Sequence, residues 1–379
     1  MEVREHQLPI TTNSSIPSQT LTTRCVNIVA TGKALSWLST LTRFHAGYFR
    51  ISLSLCGQAL LWKILRDPRT DAHALSPIIH VIPSAAFFVL WSLALFSLVA
   101  LCLLFIIRCL FRIENIKAEF SHHVGMNYLF APWISWLLLL ESTTFLHPKT
   151  TSYLVLWWVF SVPIVVLDVK IYGQWFTGGK KLLSMAANPT CQISVIANMV
   201  GARAAAKMGW QESAMCMLSL GLVHYLVLFV TLYQRLVGSD SLPAAMLRPV
   251  FFLFIAAPSM ASLAWGSISG TFDIASKMLF FLSLFLFASL VSRPALFRRS
   301  MRRFNVAWWA YSFPLTMLAM AATEYAQEEK GIVPNALMLV LSLLSALVTL
   351  VLLAFTFLKA GDLAPHDEPF APSPSVRTN

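Results

Sequence analysis

PNALMLVLSLLSALVTLVLLAFTFL, residues 334–358, runs without a single charged side chain. Coiled into a helix, it is long enough to cross the hydrocarbon of a bilayer, which takes ~20 mainly apolar residues. VIPSAAFFVLWSLALFSLVALCLLFII, residues 81–107, reads the same way. Measured by that ruler the chain holds ten spans, at 45–63, 81–107, 124–141, 152–171, 188–206, 213–234, 249–266, 274–292, 306–324 and 334–358. The connections between them are too short for a folded soluble domain. The fifth span carries Asn198, Gly201 and Arg203, so it survives only where protein rather than lipid surrounds it.

Composition points the same way. Of 379 residues 57% are hydrophobic and 12% charged, with a mean hydropathy of +0.68. A water-facing domain averages about 25% charged residues, which excludes an ordinary cytosolic enzyme. A net charge of +11 on so apolar a chain reads as cytoplasmic loops against anionic lipid rather than as a nucleic-acid surface. The 12 Trp and 27 Phe suit lipid-facing helices and interfacial belts. With the N-terminus inside, 19 Lys and Arg fall on inner loops and 8 on outer ones, Arg50 lying within the first span. This predicts both termini in the cytosol, as an even number of spans requires.

The expected organisation is a disordered cytosolic tail at 1–43, a membrane domain at 44–360 and a second disordered tail at 361–379, broken by Pro365, Pro369, Pro372 and Pro374. The first 43 residues hold no apolar core of the signal-peptide type. The sequon Asn13-Ser14-Ser15 faces the cytosol on this topology and goes unused. The six cysteines show no ligand or redox spacing and read as small packing residues.

Ionisable residues in or beside the spans are few: Arg50, Glu141, Asp168, Lys170, Arg203, Lys277 and Glu324. None is a convincing mid-membrane carboxylate of the kind a proton-coupled pump would hold. Arg50 has two readings, a charge that attracts anions into an inner vestibule and a side chain snorkelling to the interface. Asp168 and Lys170 read as interfacial. Pro132, Pro258 and Pro314 lie within the third, seventh and ninth spans and predict kinks in a layer of odd-numbered helices, with Pro163 as the exception. Phe313 stands directly before Pro314, where backbone is restricted, so the kink aims its ring. Such a ring is either a packing or lipid-facing residue, or a plug across a narrow apolar tube. His224 is single within its span, His122-His123 lies in a loop, and Lys180-Lys181 after Gly178-Gly179 lacks the rest of a phosphate loop. No catalytic arrangement, metal cluster or cofactor motif emerges.

Specific strings add a resemblance. FHAGYFRISLSL at 44–55, KIYGQW at 170–175 with Gly178-Gly179-Lys180, and Asn188-Pro189 resemble the plant slow-type (S-type) anion channels. So do HYL at 224–226, TLYQR at 231–235, FIAAPS at 254–259 and VAWW at 306–309. The resemblance covers about 44–358, and the wider group includes bacterial tellurite-resistance proteins and fungal malate permeases. It implies an all-α fold of ten transmembrane helices, arranged as five hairpins in quasi-fivefold order around a central pore. It implies a homotrimer with one pore per protomer, odd-numbered helices lining each pore, and Phe313 as the gate. Pro132, Pro258, Pro314 and Thr316 fall on those lining helices. Leu138 stands where some members carry a second aromatic. Short tails resemble those of the short subgroup, which puts activation by regulatory kinases in doubt.

The reading that follows is gated, passive conduction of chloride or nitrate, with malate as a third candidate, across a plant plasma membrane. Two rivals stay open. One is a non-conducting subunit that modulates a longer-tailed family member in a heteromer. The other is a proton-coupled dicarboxylate carrier. The expected partners are inorganic anions, membrane lipid and copies of the same chain, with no nucleic acid.

Overall fold

The computed structural model describes residues 44–66, 84–111, 125–177, 188–238, 245–298, 300–302 and 304–359, and all regular structure in them is helical. Each of the ten apolar stretches holds one long helix. They are α1 Phe49–Leu65, α2 Ser84–Phe111, α3 Ala131–Ser142, α4 Thr151–Thr177 and α5 Gln192–Met208, followed by α6 Gln211–Gly238, α7 Leu253–Ser269, α8 Ile274–Val291, α9 Trp309–Glu329 and α10 Ile332–Leu358. Both expected tails lie outside the described residues, as do Asn13, Cys25, His122-His123 and Gly178 to Lys181.

Six stretches are long and apolar enough to cross a membrane: α2, α4, α6, α8, α10 and Arg248–Ser269, which is α7 with the turn before it. This is a multi-pass membrane protein. The remaining helices are less independent. α1, α3 and α5 run only 17, 12 and 17 residues, short of the ~20 that span hydrocarbon alone.

Burial sorts the helices by parity. Outward faces belong to the even-numbered ones, through Phe88, Phe96 and Leu103 of α2, Met278 and Phe285 of α8, and Leu343, Leu347 and Leu350 of α10. The odd-numbered helices lie inside. Every residue of α5 except Lys207 is buried, and so is α9 from Trp309 to Thr323 apart from Tyr311. The division has a simple cause. Gln58, Asn198, Arg203, Ser262 and Thr316 would each be costly against lipid tails, and all five are buried on inner helices. The condition set for the fifth span is thereby met, since Arg203 is 1% exposed.

Each odd helix packs on the even helix that follows it. Inner contacts run from α1 to α3, α3 to α5, α5 to α7, α7 to α9, and from α9 back to α1. Small residues allow the close approaches. A Cβ at Gly201 would lie 2.4 Å from Met217 Cε, and one at Gly221 would lie 2.9 Å from Met199 Cε, so α5 and α6 each seat a methionine of the other helix against a glycine. Hydroxyl bonds join other pairs: Ser52 to Ser135 between α1 and α3 at 3.2 Å, and Ser262 to the Ser276 carbonyl between α7 and α8 at 2.7 Å.

The prolines act differently from one another. α7 and α9 run unbroken through Pro258 and Pro314. Phe313 therefore keeps ordinary helical backbone, which corrects the expectation of an unusual one. Pro132 is the second residue of α3, after a separate helical turn at Gly125–Tyr128. It lacks the amide that would reach the Tyr128 carbonyl, so the third stretch breaks ahead of it instead of bending about a proline well inside it.

Candidate functional site

Three inner helices begin with the same device. His45, Asn188 and Asn305 hold extended backbone, and each side chain accepts a hydrogen bond from the amide two residues on, at Gly47, Thr190 and Ala307, at 3.0, 2.9 and 3.1 Å. A 3-10 turn follows, and then α1, α5 or α9. Such a cap satisfies one of the orphan amides at a helix start and sets the angle at which the helix begins. Five residues beyond each cap stand Arg50, Ile193 and Ala310, and all three line one pocket.

The same pocket takes Leu53 from α1, Tyr128 from the turn before α3, Val250 from the turn before α7, Leu253 from the first position of α7, and Trp309 and Phe313 from α9. All five inner segments thus meet at one place. Its cavity volume is about 10 Å³, room for roughly one water molecule. Leu53 and Phe313 sit one turn deeper along their helices than Arg50 and Ala310. Phe313 is 1% exposed, turned inward, and its ring edge would lie 3.6 Å from a Cβ placed at Gly57 of α1. That glycine leaves the ring room to lie against the α1 backbone.

Arg50 is the charged residue of the pocket wall. Its Nε donates to the Gly47 carbonyl at 2.9 Å, and its guanidinium lies over the Tyr128 ring, 4.6 Å from the centroid. It is 5% exposed. The snorkelling alternative is therefore corrected: the side chain is held at the pocket, not extended to the lipid interface. A cation beside a low-dielectric cavity raises the local concentration of anions.

Near the opposite ends of the inner helices lies a buried ion network. Arg203 of α5 bridges Glu141 of α3 at 2.8 Å and Glu324 of α9 at 2.9 Å, while Lys207 reaches Glu141 at 3.1 Å. Lys63 of α1 donates to the carbonyls of Glu141 and Thr143 at 2.7 and 2.8 Å. Four inner helices are tied together there. Asp168 also departs from expectation. It is 3% exposed on α4 and accepts a bond from Asn198 of α5 at 2.7 Å, because the packed helix leaves it no path to the interface. It does not border the pocket. His224 bonds the Leu220 carbonyl and stacks on Tyr172, which fits a packing role.

The remaining sequence candidates scatter. Leu138 is fully buried on α3 but is not among the pocket residues, and the same holds for Pro258 and Pro314. Pro132 is half-buried at the start of α3. Thr316 does not border this pocket either, and its hydroxyl faces Gln58 and Ser345 between α1, α9 and α10. Sequence reasoning missed the Glu141–Arg203–Glu324 network and Gln58. The repeated cap could have been found, because His45, Asn188 and Asn305 each stand four residues before the first α-helical residue. Five inner helix ends, contributing apolar side chains and one cation, thus build this pocket inside an apolar, membrane-spanning outer shell.

Comparison with known proteins agrees. Residues 43–357 match the family model for SLAC1, the voltage-dependent anion channel. The S-type anion channel SLAH1 of Arabidopsis thaliana is 54% identical over 97% of this chain and 94% of its own length. The guard cell S-type anion channel SLAC1 of the same plant is 42% identical over 86% of this chain and 58% of its own. A tellurite resistance protein TehA homologue of Haemophilus influenzae is 22% identical over 74% and 80%. The chain belongs to the voltage-dependent (S-type) anion channel family.

Proposed function

We propose that this chain is a gated, passive anion channel of the plasma membrane. In this reading all ten helices cross the bilayer with both termini in the cytosol, and the five hairpins stand in quasi-fivefold order around a pore through each protomer. The protomers form a homotrimer. Chloride or nitrate enters from the cytosol past Arg50, and Phe313 blocks the way. A heteromer with a longer-tailed relative, and kinase control through it, would add regulation to the same pore. The observation that carries the reading is the inward, buried ring of Phe313 at the deep end of a pocket to which every inner helix contributes. An ion passing such a ring would have to shed water against an apolar wall, which is a barrier without any tight binding site.

The test is a reversal potential, measured on the purified chain in a planar bilayer. It should follow the chloride or nitrate gradient and stay fixed when a pH gradient is imposed. A potential that moves with pH would identify a proton-coupled carrier. A chain silent by itself, conducting only beside a longer-tailed relative, would make it a modulatory subunit.

Arg50 supplies a second prediction, read with the ring removed so that gating does not limit the current. In a Phe313→Ala background, Arg50→Gln should lower chloride conductance about five-fold, the scale of ~1 kcal/mol for one charge acting across several ångströms at intermediate dielectric. Arg50→Lys should fall between the two, since it keeps the charge and loses the planar contact with Tyr128. Equal single-channel conductance for all three would remove Arg50 from the conduction path.

A further inference from the structure

A knot of buried polar side chains lies beside the Phe313-Pro314 pair, and conduction itself has no use for it. Gln58 of α1 donates its side-chain amide to Thr316 Oγ1 of α9 at 3.0 Å. The same nitrogen lies 2.6 Å from Ser345 Oγ and 2.9 Å from Thr349 Oγ1, both on α10. Ser312 and Thr316 flank the pair on α9 and meet α10 in turn, Ser312 at Thr349 at 2.7 Å and Thr316 at Ser345 at 2.9 Å. One turn earlier, Trp309 Nε1 donates to Thr356 Oγ1 at 3.1 Å, and the Trp309 carbonyl accepts from Ser54 Oγ at 3.2 Å. Three successive turns of α9 thus carry a rung to α10, and α1 joins at two of them. Gln58 is 2% exposed, and Ser54, Ser312, Thr316 and Ser345 are wholly buried.

The position of the knot matters more than its strength. Pro314 has no amide, so the backbone ladder of α9 lacks a rung at the residue after the ring, and the helix resists bending and twisting least there. Side-chain bonds to neighbouring helices substitute for it. Gly57, the residue before Gln58, is where α1 accepts the Phe313 ring, with Met317 Cε only 3.0 Å from where its Cβ would be. One turn of α1 therefore both receives the ring and holds the helix that carries it. Gln58 offers two amide hydrogens to three hydroxyl acceptors, while the Thr316 and Thr349 hydroxyls donate to the Ser312 and Ser345 carbonyls. Such a network fixes geometry only while its members stay together.

We propose that Gln58 is a positioning residue for the gate: through Thr316, Ser345 and Thr349 it sets the rotation of α9 that keeps the Phe313 ring across the pocket. The inference rests on Phe313 being the gate. Gln58 does not line the pocket, so its role is separable from permeation.

The experiment compares Gln58→Met, which keeps length and loses the amide, in the wild-type chain and in Phe313→Ala, by single-channel recording in bilayers. Gln58→Met should raise open probability about five-fold in the wild-type chain, on the scale of losing interhelical hydrogen bonds. Unitary conductance and chloride-to-nitrate permeability should not change. With the ring absent the same substitution should have no effect. Equal effects in both backgrounds would overturn the inference, because Gln58 would then act elsewhere. So would an unchanged open probability in a chain that Phe313→Ala does activate, and the gate reading would survive that result. If Phe313→Ala itself leaves the current unchanged, the gate reading fails and the inference falls with it. Ser345→Ala removes one acceptor with little change in shape, and should raise open probability about two-fold even if Gln58→Met fails to assemble; no change in that variant would also overturn the inference.

Discussion

Replacing Phe313 by alanine is expected to raise anion current by at least about ten-fold, which corresponds to lowering the barrier by ~1.4 kcal/mol. The ring is buried, turned inward and one turn deeper than Ala310 in a pocket walled by Leu53, Ile193, Val250 and Leu253. Removing it widens an apolar constriction enough to let water, and with it an anion, pass. Phe313→Trp should leave the current low, because bulk is restored. The same alanine would be a damaging change if the ring were only core packing, where Phe→Ala costs about 3–5 kcal/mol through the cavity left behind. The two roles therefore predict opposite results. A gate gives well-expressed, open channels, and a packing residue gives less protein with no gain in current per channel. Current normalised to surface protein separates them.

The second large effect is expected at Arg203. It joins Glu141 and Glu324 with almost no exposure of its own, and Glu141 is buried too. Arg203→Met leaves the buried Glu141 carboxylate to Lys207 alone and takes the cation from Glu324, whose side chain is 22% exposed. Breaking a buried pair from one side costs about 3–5 kcal/mol, a large part of the ~5–15 kcal/mol that holds a domain folded. The variant should lose most of its monodisperse yield on detergent extraction, or melt many degrees lower by fluorescence-detected size exclusion. Adding Glu141→Leu and Glu324→Gln to Arg203→Met should recover much of the loss, since replacing a whole buried network by apolar groups is often neutral. Lys207, partly exposed, can turn to water. A single Arg203→Met as stable as the wild type would show the network to be inert.

Helix positions were readable because each depends on the length of an apolar run, and all ten stretches contain a helix, although α3 starts seven residues later than expected. Which helices lie inside is less visible in hydropathy. It shows in the polar residues instead: α5 with Asn198 and Arg203 was marked as needing protein around it, and it is the most completely buried helix. The prolines pointed correctly to odd-numbered inner helices. They misled on geometry at Pro132, because a proline marks a missing amide without saying whether the helix bends or starts afresh. Phe313 could be singled out from its place before Pro314, but a ring's direction is a tertiary fact. Arg50, Asp168 and Glu141 were misjudged or left open for a shared reason. Near the end of a span a charge can reach water or a buried partner, and only the neighbouring helices decide. The partners of Glu141 stand at Arg203 and Lys207, far away in the chain.

The central claim is that anions pass through the middle of each protomer, along a path that Phe313 interrupts. Cysteine block tests it most directly. In Phe313→Ala with native cysteines replaced, Ile193→Cys places a thiol on the pocket wall, and Leu347→Cys places one on the exposed face of α10. A membrane-impermeant, negatively charged thiol reagent applied from the cytosolic side should abolish most of the current through the first and leave the second untouched. Full current through modified Ile193→Cys channels would contradict a pore at this place.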